Sequence, residues 1–213
     1  MTGGRLALGV LISGSGTNLQ AIIDEIEAGR LDARVAVVIS SHEEARGIER
    51  ARKHNIPAVF IDRRDYDSPR AYNQALLDEL HGAGVQLVVM AGYMRLLGTE
   101  VLEAFPYGVI NLHPTLLPSF PGANGIRDAF EHGVKITGVT VHFADENFDE
   151  GPIIAQEWVR VDEDDTIESL EKKIHEVEYR ILPKVIGWIA DDKVRLRGRR
   201  VCIDCGEAPT AII

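Results

Sequence analysis

The sequence predicts a Rossmann-like α/β fold: a mainly parallel, twisted sheet with helices on both faces and mixed strands in the C-terminal half. Three observations predict it. Short Val/Ile/Leu-rich runs alternate with amphipathic stretches through the first half of the chain. The runs are continuously apolar, as strands buried on both faces must be, and helix-length connections imply right-handed crossovers between parallel neighbours. After Asn111 the texture changes to a loop carrying Pro114, Pro118 and Pro121, and then to alternating polar and apolar positions.

Leu6–Ile12 reads as the first buried strand. The stretch after Asn18 carries Leu19, Ile22, Ile23 and Ile26 at helical spacing. Arg34–Ile39 is the next strand and Glu43–His54 the next helix, stopped before Pro57. Ala58–Ile61 is a third strand. Ser68-Pro69 supplies an N-cap and a proline at the first helical position, opening a helix through Leu80. Leu87–Met90 and Val109–Asn111 are further strands, with a short helix around Ile126–Glu131. In Ile136–Ala144, Val139, Val141 and Phe143 alternate with Thr140 and His142, as in a strand with one buried face. Pro152–Val161 is its hairpin-like partner. A long helix from Thr166 to about Trp188 buries Ile167, Leu170, Ile174, Val177 and Ile181, and Pro183 is expected to kink or divide it. The whole, 1–213, reads as a single domain, with 191–213 a short C-terminal tail that ends in a polar, Gly/Pro-containing, loosely held stretch.

The 213 residues carry 23 basic and 33 acidic side chains, a net charge of -10. That argues against nucleic acid and anionic membranes as partners, since both need a positive field. No stretch approaches the roughly 20 apolar residues of a membrane span. The expectation is a cytoplasmic protein with small-molecule substrates, a homodimer being the assembly left open. Cys202 and Cys205 form a Cys-x-x-Cys without a second pair to complete four metal ligands, and read as free cytosolic thiols.

Three places can carry chemistry. Ser13-Gly14-Ser15-Gly16-Thr17-Asn18 joins the first strand to the first helix. Its glycines let backbone N–H groups approach an anion at a helix N-terminus. Leu19 stands where a dinucleotide fingerprint has its third glycine, and no Gly-Lys-Ser/Thr follows, so a phosphomonoester fits better than a dinucleotide or triphosphate. A plain tight turn would give the same string. Asn111 and His113 are two apart at the C-terminal end of a strand, so their side chains point the same way. An amide donor beside an imidazole suits acyl transfer, although a lone histidine is often structural. Asp149, before Gly151-Pro152, is a common turn acid. Placed near His113, its carboxylate would favour imidazolium and raise the ring's pKa.

The strings SGSGTNLQAI, VVMAGYMRLL, INLHPTLLPSFPG and GVTVHFADENFDEGPII, in this order, resemble the glycinamide ribonucleotide formyltransferase family from about Leu6 to about Trp188. The resemblance implies formyl transfer from 10-formyltetrahydrofolate, as co-substrate and without a metal, to the amine of 5'-phosphoribosylglycinamide in de novo purine biosynthesis. It implies a catalytic trio of Asn111, His113 and Asp149. Gly14, Ser15, Gly16, Thr17 and Asn18 would bind the phosphate, and Glu178 the ribose hydroxyls. Met94, Arg95 and Leu97 would line the folate pocket, largely through backbone groups, with Asn111 also at the folate. Many members carry histidines shortly after the Pro-Gly, where this chain reads Ala123-Asn124-Gly125; His142 reads as structural. Methionyl-tRNA formyltransferases add a C-terminal domain for which this chain has no room. Formyltetrahydrofolate deformylases normally add an N-terminal domain, whereas the first strand here begins by Leu6. A non-catalytic nucleotide-binding module would have no need of a proton-transfer group beside an amide donor.

Overall fold

The computed structural model describes residues 4–204. These form two compact units, one up to Ile110 and one from Asn111. The first contains β1 (Leu6–Ile12), α1 (Thr17–Glu27), β2 (Ala33–Ser40), α2 (Arg46–Lys53), β3 (Ala58–Phe60), α3 (Pro69–Gly82), β4 (Leu87–Met90) and α4 (Thr99–Ala104). Its strands lie in the order β3-β2-β1-β4, all parallel. The order reverses at β1, so the loops leaving β1 and β4 sit at a topological switch point, where such sheets bind ligands. Leu8, Val10, Leu11 and Ile12 of β1 are 0% exposed, which explains the uninterrupted apolar run: this strand has no solvent face. Ser68 caps α3 by accepting from the Ala71 N–H at 3.1 Å, with Pro69 as its first residue.

The unit boundary falls inside β5 (Val109–His113). The second unit continues with α5 (Gly125–His132), β6 (Ile136–Phe143), β7 (Ile153–Arg160), α6 (Ile167–Ala190), β8 (Val194–Arg197) and β9 (Arg200–Ile203). β6 and β7 pair antiparallel, giving the mixed character expected of the C-terminal half. Thr166 and Ser169 form a reciprocal capping box that starts α6.

Several features differ from expectation. α6 runs through Pro183 as one 24-residue helix, its proline buried, instead of being divided. β6 is buried on both faces from Thr137 to Phe143, because Thr140 and His142 meet the residues around Asn111 and Leu117 in place of water. The helix α4 is only six residues long, too short to show a periodic signal in the sequence. The C-terminal tail includes the β8–β9 hairpin, which the sequence pattern does not resolve because its alternation is carried by arginines and gives little hydrophobic signal. Cys202 is disulfide-bonded, not a free thiol; composition and compartment do not decide whether two sulfurs lie within bonding reach. Cys205 lies outside the described residues. No helix among the described residues is long and apolar enough to cross a membrane.

Leu8→Ala removes a fully buried side chain from β1 and is expected to cost about 2–5 kcal/mol, read as a fall in the urea midpoint at unchanged slope.

Candidate active site

The second unit brings three of the expected residues together. Asn111 and His113 lie in β5, and Asp149 follows β6 in the loop before β7. Asn111 Nδ2 donates to Asp149 Oδ1 at 3.3 Å, and His113 Nδ1 lies 3.4 Å from Asp149 Oδ2. The Gly122 N–H donates to Asp149 Oδ2 at 2.8 Å. Both strand side chains therefore reach one carboxylate, as their two-residue spacing requires.

The loop holds Asp149 in an unusual place. Its φ is 57°, a left-handed conformation that aspartate tolerates better than most residues. Two residues on, a Cβ on Gly151 would stand 1.7 Å from the Phe143 carbonyl oxygen. Only glycine lets the chain return so closely against β6. The Arg199 guanidinium also donates to the Glu150 carbonyl. A cleft of about 450 Å³ beside this loop is lined by Leu117, Pro118, Asp149, Gly151, Pro152 and Arg199, while the Asp149 side chain itself is 2% exposed.

His142 belongs to the same cluster. Its Nδ1 donates to the Phe143 carbonyl at 2.9 Å, which leaves Nε2 as the acceptor for Asn111 Nδ2 at 3.1 Å. Nε2 is also 3.7 Å from Asp149 Oδ1. His142 thus orients the Asn111 amide, a role that a purely structural reading of this residue misses. The signal in the sequence is the pair Thr140 and His142, two polar residues on one strand face. Thr140 is the other half: its hydroxyl donates to the Thr115 carbonyl at 2.6 Å and accepts from the Leu117 N–H at 3.1 Å. It fixes the start of the proline-rich loop.

The electrostatics differ from expectation in one respect. Burial lowers the His113 pKa from 6.5, outweighing the Phe120 carbonyl and Asp149, which raise it. The resting ring is therefore neutral near pH 7. Its Nε2–H donates to the Phe120 carbonyl at 2.9 Å, so the lone pair lies on Nδ1, facing Asp149. Burial also opposes ionisation of Asp149, but the neighbouring His142, the hydrogen bond from the Gly122 N–H and the nearby His113 hold its carboxyl below the usual range. Gly125 lies beside the ring, where a Cβ would lie 3.3 Å from His113 Nε2.

Glu178 sits in α6, 4% exposed, and accepts from His175 Nδ1 at 2.9 Å, which raises the His175 pKa. Its charge also acts on His113, in the direction that favours protonation.

In the first unit the Gly-rich loop leaves β1 and enters α1 with Gly16 at the N-cap, φ 67° and no side-chain cap. Ser15, Gly16 and Thr17 have no acceptor for their backbone N–H groups among the described residues. Asn18 is 9% exposed and the first buried residue of α1, while Gly14 and Ser15 are exposed. Ser13 ties this loop to the one after β4: its N–H donates to the Gly92 carbonyl at 3.1 Å and its hydroxyl accepts from the Met94 N–H at 3.0 Å. The Met94 N–H is thus committed within the protein. Met94 is 59% exposed and Leu97 4%. The Arg95 guanidinium carbon lies 5.9 Å from the centre of the Tyr72 ring, and its buried Nε has no hydrogen-bond partner among the described residues. Among these residues no group of three or more His, Cys, Asp or Glu could hold a metal ion.

Residues 7–186 match the formyl transferase family. The phosphoribosylglycinamide formyltransferase of Bacillus subtilis is 41% identical over 177 residues, 83% of this chain and 91% of that protein. The glycinamide ribonucleotide transformylase 1 structure from Symbiobacterium toebii superposes with a TM-score of 0.92 at 50% identity, covering 95% of each chain. A formyltetrahydrofolate deformylase from Pseudomonas syringae gives 0.86 at 27% identity, covering 93% of this chain and 66% of that one. On the match of 7–186 and the extent of these likenesses, the chain belongs to the formyl transferase family.

Proposed function

We infer that the protein transfers the formyl group of 10-formyltetrahydrofolate to the amine of 5'-phosphoribosylglycinamide, a step of de novo purine biosynthesis, and that its two units act as one cytoplasmic formyltransferase domain. The observation that carries this reading is the convergence of Asn111 and His113 on the Asp149 carboxylate in a chain of this family. Gly14, Ser15, Gly16, Thr17 and Asn18 take the phosphate, supported by the unpaired N–H groups of Ser15, Gly16 and Thr17 at an uncapped helix N-terminus. Glu178 takes the ribose hydroxyls as a buried, oriented acceptor. Met94, Arg95 and Leu97 line the folate pocket, with backbone contacts drawn from groups other than the Met94 N–H.

The amine attacks the formyl carbon, forming a C–N bond and a tetrahedral intermediate whose oxygen becomes anionic. Asn111 Nδ2 stabilises that oxygen by exchanging its longer bond, the 3.3 Å one to Asp149. The proton lost by the amine passes along Asp149 to the lone pair on His113 Nδ1. The resulting imidazolium pairs with Asp149, an attraction strengthened by burial. Collapse breaks the bond to folate N10, and the same proton is returned to that nitrogen. Burial keeps the ring uncharged until the step that charges it.

Removal of an oxyanion donor costs about 100- to 1000-fold, and loss of acid–base assistance about 100- to 10,000-fold. Asn111→Ala, His113→Ala and Asp149→Asn are therefore expected to lower kcat by these amounts, with little change in KM for either substrate in His113→Ala and Asp149→Asn. The readout is a spectrophotometric assay of folate release; near-full turnover in any of the three removes that residue from the mechanism. Folate release without the ribonucleotide acceptor would favour the deformylase reading instead. Because the reactive ring is neutral, kcat/KM should hold near pH 7 and fall only on the acid side of the ordinary imidazole value, as pH passes down through the lowered His113 pKa. A flat profile there contradicts the assignment of His113 as the base.

A further inference from the structure

The Gly-rich loop has an outer support in α2. The Gly47 N–H donates to the Gly14 carbonyl at 3.1 Å, and Arg50 Nε donates to the Ser15 carbonyl at 2.9 Å. The Gly16 carbonyl is taken by the Gln20 N–H at 3.0 Å, within the first turn of α1. Three successive carbonyls are thus engaged, while the N–H groups of Ser15, Gly16 and Thr17 have no acceptor among the described residues. A peptide plane carries its N–H and C=O on opposite sides, so fixing the carbonyls of Gly14 and Ser15 against α2 aims the N–H groups of Ser15 and Gly16 away from it.

The contact needs glycine at position 16 and leaves little room at position 47. A Cβ on Gly16 would lie 2.6 Å from Gly47 Cα, and one on Gly47 would lie 2.3 Å from Ile12 Cδ1 and 3.3 Å from Gly16 Cα. Arg50 Nη1 also donates to Gln20 Oε1 at 3.2 Å, tying α2 to the first turn of α1. In a chain of net charge -10, Arg50 also places a guanidinium directly behind the loop.

We propose that Gly47 and Arg50 are positioning residues for phosphate recognition: they hold the loop carbonyls outward and so present the N–H groups of Ser15 and Gly16 as a preformed anion cradle. Neither residue contacts the phosphate in this arrangement. The inference rests on the assignment of the loop to the substrate phosphate.

The test compares wild type, Arg50→Gln, Arg50→Lys and Gly47→Ala with the phosphorylated acceptor and with the same acceptor lacking its phosphate. Arg50→Gln is expected to raise KM for the phosphorylated acceptor about tenfold, the scale of one lost charge-assisted bond. The same variant should keep kcat and the KM for folate, and leave kcat/KM for the dephosphorylated acceptor unchanged. Arg50→Lys keeps the charge without the planar fork and should follow Arg50→Gln; wild-type KM in this variant overturns the bracing role. Gly47→Ala should shift KM in the same direction, and if it does not fold, the Arg50 pair decides the matter. An equal loss with both acceptors, or no loss with either, overturns the proposal while leaving the phosphate assignment standing. A wild type that treats the two acceptors alike overturns that assignment, and the bracing role with it.

Discussion

The chemistry of the second unit depends on one carboxylate held out of water. Asp149 has a side chain 2% exposed, and it meets the Gly122 N–H, the Asn111 amide and the His113 ring. A buried anion without such partners would neutralise or pull the loop open. With them, it joins two β5 side chains whose other contacts are His142 and the Phe120 carbonyl. The surrounding backbone is shaped to keep it there. Asp149 itself is left-handed, a glycine presses against β6 two residues later, and an arginine donates to the carbonyl between them.

Burial acts on the two partners in opposite ways. It would raise the carboxyl's pKa, but several donors overcome it; it lowers the imidazole's, and the carboxylate does not overcome it. The pair therefore rests as an anion beside a neutral ring. In the proposed mechanism a proton arriving at His113 turns an uncomfortable lone pair facing a carboxylate into an ion pair, so the favourable contact would form as the reaction proceeds. The Gly-rich loop of the first unit works by the reverse logic. There the protein supplies donors and no acceptor, and the ligand is expected to bring the charge.

Much of this is legible in the residues. β1 and β4 of the first unit announce themselves because they are buried on both faces, and Ser68-Pro69 marks a helix start by chemistry that needs no tertiary context. The pairing of Asn111 with His113 follows from strand periodicity alone. Asp149 does not. It lies 38 positions from Asn111 and joins the pair only because β6 runs beside the end of β5 and Gly151 permits the return, neither of which is local information. His142 is hidden for the same reason, since a polar residue on an alternating strand looks solvated until its neighbours are known. The β8–β9 hairpin carries too little apolar signal to be read, and the sign of the His113 shift is a contest between burial and charge that only coordinates can weigh.

The mechanism proposed for this site turns on the protonation state of His113, and NMR titration of ring-labelled histidines, with His113→Gln to assign the resonance, reads it directly. The expected result is a neutral Nε2–H tautomer at pH 7 with a pKa below 6.5, falling further in Asp149→Asn because the carboxylate is a raising influence. A pKa above 7, or one that Asp149→Asn leaves unmoved, would contradict the mechanism.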